Sequence, residues 1–61
     1  MSQKETAAAE LKAASASLVL ATAAVEDGDW AAAERGVIDA QQHSDVAMGE
    51  IGRNLRAADT S

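Results

Sequence analysis

Small and large apolar residues alternate along the first half of the chain at a four-then-three spacing: Ala7, Leu11, Ala14, Leu18, Ala21 and Val25. That spacing holds all six on one stripe of an α-helix. After a single break at Glu26-Asp27-Gly28-Asp29 the alternation resumes at Trp30, Ala33, Val37, Ala40, Ser44, Ala47 and Ile51, and runs on to Asn54 or Leu55 and Ala58. Proline is absent and helix formers fill both halves. The pattern predicts an all-α fold: an antiparallel helical hairpin with helices over about 3–26 and 29–58, forming one domain across residues 1–61.

The ends of the elements carry their own signals. Ser2-Gln3-Lys4-Glu5 fits a capping box, which starts helix 1. Gly28 can take a positive φ without penalty, and Asp27 or Asp29 can accept from the free N–H groups of helix 2. Alanine at every second stripe position lets the opposing Leu, Val or Ile approach the facing backbone. The expected register pairs Val25 with Trp30–Ala33, Leu18 with Val37–Ala40, Leu11 with Ala47, and Ala7 with Ile51. Gly36 is read as a point of close helix contact, and the Gly49 and Gly52 pair as a kink or weakened segment, since glycine inside a helix costs about 1 kcal/mol relative to alanine.

One stripe does not use up the apolar residues. From Ala16 to Val25 the chain is apolar nearly all round, which marks a helix covered on more than one side. Val19, Leu20, Ile38, Val46, Met48 and Leu55 lie off the stripe and form the expected interface, because exposed apolar patches usually mark contact surfaces. Composition strengthens this reading. Sixty-one residues with sixteen Ala, one Trp and no Phe or Tyr make a poor single-chain core. With no Cys and one His, neither a disulfide nor a structural zinc site supplies the missing stability. The hairpin is therefore expected to dimerise into a four-helix bundle, with a heteromeric partner helix as the alternative.

The net charge of −5 is unevenly placed. Lys4, Lys12, Arg53 and Arg56 balance Glu5, Glu10, Glu50 and Asp59 at the open end, whereas Glu26, Asp27, Asp29, Glu34, Asp39 and Asp45 face Arg35 alone toward the turn. An acidic tip of Glu26, Asp27, Asp29 and Glu34 disfavours nucleic acid and anionic membrane as partners, and suits a protein with a basic surface. No apolar run approaches the ~20 residues of a membrane span, and no apolar signal core follows Met1. The chain is read as soluble and cytoplasmic.

Chemistry-bearing groups are few. His43 is the one near-neutral titrating group, one turn after Asp39, a spacing that allows a helix-surface hydrogen bond or half of a metal site. The acidic turn lacks the twelve-residue ligand spread of a calcium loop, with Trp30 and three Ala following it. No catalytic residue, metal or cofactor is expected, and the chain is read as a non-enzyme.

Gly28, Trp30, Ala33, Val37 and Ala40 occupy the turn-glycine, aromatic, small, large-apolar and alanine positions of a tetratricopeptide repeat, so residues 28–40 resemble the second half of that helical hairpin. The resemblance implies a Gly turn, an aromatic plug at the turn and small residues where helices touch. Only one copy of the motif is present, and stacked repeats need neighbours. The length and central turn are also similar in architecture to Rop-type RNA-regulatory hairpin dimers, which implies a dimeric hairpin. RNA binding does not carry over, since helix 1 offers Ala and Ser where that family's polar, basic and aromatic face would lie. The expected function is a non-enzymatic protein–protein interaction module, an oligomeric adaptor, regulator or inhibitor. The alternatives are a structural assembly subunit and, ranked last, a Rop-like nucleic-acid-binding regulator.

Overall fold

The computed structural model describes residues 2–60, and at Thr60 the backbone alone. It consists of two helices, α1 (Gln3–Glu26) and α2 (Trp30–Thr60), joined by three residues and packed against each other along their lengths. Both elements match the sequence expectation to within the usual fraying of helix ends.

Local chemistry explains each boundary. Ser2 is extended (φ −75°, ψ 164°), and its Oγ accepts from the Glu5 backbone N–H at 3.2 Å, so the serine side of the capping box is in place. At the other end Gly28 adopts φ +74°, the left-handed region open to glycine. This lets the Gly28 N–H donate to the Val25 carbonyl (3.0 Å) and the Asp29 N–H to the Ala24 carbonyl (2.8 Å). These two bonds make a Schellman motif, which satisfies carbonyls that would otherwise be orphaned at a helix end. Asp29 then turns to the next helix. Its Oδ1 accepts from the Ala32 N–H at 3.1 Å, capping α2 one residue after α1 has been closed.

Alanine lines the seam between the helices. Among the described residues Ala14, Ala21, Ala33, Ala40 and Ala47 are buried, and no larger side chain is. The buried alanines recur every seven residues within each helix, which keeps them on the inner line of an antiparallel pair. Gly36 extends the close approach. A Cβ placed there would lie 2.9 Å from Ala21 Cβ and 3.3 Å from Ala21 Cα, inside normal contact. Gly36 is thus a contact glycine, as expected.

The sequence reading also placed Leu11, Leu18, Val25, Val37 and Ile51 in that seam, and there it needs correction. These five remain 39–49% exposed. Each follows an alanine of the inner line by four residues, which carries it roughly 40–50° round the helix, far enough to leave a tightly closed seam. The closer the alanines bring the backbones, the more the larger neighbours are pushed to the side.

Second, at Gly49 and Gly52, read as a kink or weakened segment, α2 continues as helix without interruption. Their missing Cβ atoms leave space filled from the same helix, by the Arg53 guanidinium 3.5 Å from one and the Arg56 guanidinium 3.4 Å from the other.

Third, α1 is long and apolar enough to cross a membrane by length and composition. The expectation that no such stretch exists looked for an unbroken run. Ala13 to Val25 carries no charge, and only Glu10 and Lys12 interrupt the residues just before it. A helix required to pack on more than one side shows the same composition.

The hairpin is a rod of 50 × 17 × 12 Å with a radius of gyration of 14.4 Å. A compact chain of this length would have about 10.5 Å. Among the described residues no large side chain is enclosed.

Candidate functional site

The displaced large residues fall on one face. In an antiparallel helix pair, residues at the same offset from the inner line lie on the same side of the pair. Leu11, Leu18 and Val25 on α1 therefore flank the seam on the side where Trp30, Val37 and Ile51 flank it on α2. Together they make two apolar rows, one of about 21 Å from Leu11 to Val25 and one of about 32 Å from Trp30 to Ile51 at 1.5 Å per residue, with Ser44 as the one polar member of the second row. Trp30, at the turn end, is 70% exposed.

The residues expected to form the interface are all exposed, Val19, Leu20, Ile38, Val46, Met48 and Leu55 alike. They do not share a direction. Met48 and Leu55 lie three and four residues from Ile51 and widen the two-row face. Val19 and Ile38, five residues past Ala14 and Ala33, point away from the seam. Leu20 and Val46 follow Ser17 and His43 by three residues and stand on the opposite, polar side. The seven-residue recurrence of alanine was the signal that distinguishes these directions.

That polar side carries a network that bridges the helices. Nδ1 of His43 on α2 lies 2.6 Å from Oε2 of Glu10 on α1, and its Nε2 lies 3.4 Å from Oδ2 of Asp39. The same Asp39 oxygen accepts from the Ser17 hydroxyl across the seam at 2.5 Å. The Asp39–His43 contact is the one-turn pairing the sequence suggested. Glu10 and Ser17 were not foreseen, although their positions three residues past Ala7 and Ala14 put polar groups beside the inner line. These contacts and the Ala21–Gly36 approach agree with the expected register. A carboxylate faces each imidazole nitrogen, and the His43 pKa is raised, first by the hydrogen bond to Glu10 and then, against the opposing effect of desolvation, by the charge of Asp39 and of Glu10 itself.

A hydroxyl, an imidazole and two carboxylates invite comparison with a nucleophilic triad, but their order differs. The Ser17 hydroxyl is bonded to Asp39, with His43 beyond the carboxylate, so no basic nitrogen faces the hydroxyl. Among the described residues no group of three His, Cys, Asp or Glu is placed to hold a metal ion.

At the acidic tip, Asp29 is committed to capping α2. Glu26, Asp27 and Glu34 are exposed around it. At the other end of the rod an open cavity of about 400 Å³ lies between the helices, its walls formed chiefly by Ala7, Ile51, Leu55, Ala58 and the stem of Lys4. Glu50 closes part of it. One carboxylate oxygen of Glu50 accepts from Arg53 at 2.7 Å while the other is buried without a hydrogen-bond partner. Comparison of the chain with protein-family models, with curated proteins and with solved structures finds no match.

Proposed function

We propose that the chain is a non-enzymatic protein–protein interaction module whose two-row apolar face docks against helices of another protein chain. One observation carries this reading: among the described residues the twelve large apolar side chains all remain 39–70% exposed, while the residues buried between the helices are alanines. Apolar burial is the main driving force for folding, and here most of that potential lies on the surface. The alignment of Leu11, Leu18, Val25, Trp30, Val37 and Ile51 on one side gives the unused surface a direction. Apart from Trp30 the face is lined by aliphatic side chains, which suits helices laid along it as in a bundle. The polar side, with its bridging His43, keeps the two helices in register while the apolar side is engaged.

The test compares two aspartate substitutions of similar exposure in the lone hairpin. Leu18 (49% exposed) lies on the face and Val19 (66% exposed) points away from it. Leu18→Asp should abolish association measured by sedimentation velocity, and Val19→Asp should leave it intact. Equal effects of the two substitutions on a self-associating wild type would contradict a directional face.

A further inference from the structure

Building on that reading, we infer that the occupant of the apolar face is a second copy of this chain, laid antiparallel so that Trp30 of each protomer enters the open-end cavity of the other. Two independent features of the rod meet in this arrangement. The first is shape. Trp30 stands 70% exposed at the turn end of the apolar face, and the cavity walled by Ala7, Ile51, Leu55 and Ala58 opens at the far end. Ile51 and Ala58 lie in the same row as Trp30, at multiples of seven residues from it. Turning one rod end for end over the other brings an unfilled apolar cavity to each exposed indole, at both ends at once, as two-fold symmetry requires. Aromatic anchors seated in pockets are the usual source of binding energy at interfaces.

The second feature is charge. The turn half, residues 17–46, holds six carboxylates against Arg35, a net −5, while the open end is neutral and holds the remaining cations, Lys4, Lys12, Arg53 and Arg56. A parallel pair would set two −5 segments side by side within the ~10 Å reach of charge interactions at moderate salt. In the antiparallel pair the tips lie at opposite ends of a 50 Å rod, each beside the partner's charge-balanced open end.

Because the chain has no cysteine of its own, cross-linking can read the orientation directly. Cysteines are introduced at the tip (Asp27→Cys), at the open end (Ala58→Cys), and at both, and are bridged with a short bismaleimide. The antiparallel pair yields covalent dimer from the double variant, or from a mixture of the two single variants, and none from either alone. The sole tryptophan reports in parallel: its emission should shift to the blue and become protected from iodide as concentration rises. Trp30→Ala should weaken self-association about tenfold or more while the helical signal per associated chain is kept. Cross-linking of Asp27→Cys alone would overturn the inference in favour of a parallel pair. A chain that is monomeric at all concentrations and poorly helical would overturn the second-copy inference and leave docking to another protein standing. A chain that is monomeric and stably helical would overturn both.

Discussion

Gly36 on α2 faces Ala21 on α1 so closely that a single added methyl group would sit 2.9 Å from the alanine Cβ, with the Ser17 carbonyl oxygen 3.2 Å away. Backbone lines the site, so the helices would have to separate to accept it. Gly36→Ala gains about 1 kcal/mol of helix propensity, and overpacking a tight site typically costs about 1–3 kcal/mol. Because two of the three nearest atoms belong to backbone, the cost should prevail and the melting temperature should fall. Gly49→Ala and Gly52→Ala meet flexible guanidinium groups at 3.5 and 3.4 Å, and should instead raise stability by roughly 0.5–1 kcal/mol each. Thermal melts of the three variants by circular dichroism check the contrast.

The interhelical His43–Glu10 pair predicts a pH dependence of definite sign. The folded-state pKa of His43 is raised, chiefly by the hydrogen bond to Glu10. A group whose pKa is higher folded than unfolded contributes stability that is fully present below its unfolded value, about 6.5 for histidine, and is lost as pH rises through the folded value. The melting temperature should therefore decline as pH rises from about 6.5 through the raised His43 value. Glu10→Gln should flatten that decline. A wild-type melting temperature that rises over this range would show that the pair does not hold the helices together.

The turn should be sensitive at two adjacent positions for different reasons. Gly28 has open space around its missing Cβ but sits at φ +74°, so Gly28→Ala should cost roughly 1–2 kcal/mol through backbone conformation alone. Asp29→Ala removes the acceptor for the Ala32 N–H and should cost about 1 kcal/mol. Asp29→Asn, which keeps a capping oxygen, should recover most of the loss. Denaturant titration of the set distinguishes cap from charge, because Asp29→Asn removes the charge and retains the cap.

The hairpin, its turn and its register were legible in the amino-acid pattern. Gly28 and Asp29 gave a terminator and a cap at neighbouring positions, and the four-three alternation fixed which side of each helix turned inward. The depth of the seam was less legible. The same alternation suits a seam packed by Leu18 and Val37 or one closed on Ala21 and Ala40. Gly36, opposite Ala21, tips the balance toward the second, and reading it requires the exact facing of two residues fifteen apart. The polar bridge was hidden for a related reason. Glu10 and His43 are separated by thirty-three residues and become neighbours only when the register is known. The scattered directions of Val19, Leu20 and Ile38 follow from the phase of the inner line, which shifts once the alanines are its centre.

Neutralising the tip separates its structural and electrostatic roles. Asp27→Asn and Glu34→Gln remove charges without touching the Asp29 cap, so monomer helicity should be unchanged. In the antiparallel pair these charges lie near the partner's Lys4 and Lys12, and their removal should weaken association modestly, by the about 0.2–1 kcal/mol typical of an exposed pair. A strengthened association would instead indicate tips held side by side.

The claim that the hairpin is part of an assembly is tested most directly by the concentration dependence of its melting temperature. When folding is coupled to association, mass action raises the melting temperature with chain concentration. Circular dichroism melts of the wild-type chain from micromolar to millimolar should show a progressive rise, and Leu18→Asp should melt at one low temperature throughout. A single high melting temperature at every concentration, shared by wild type and Leu18→Asp, would contradict the account.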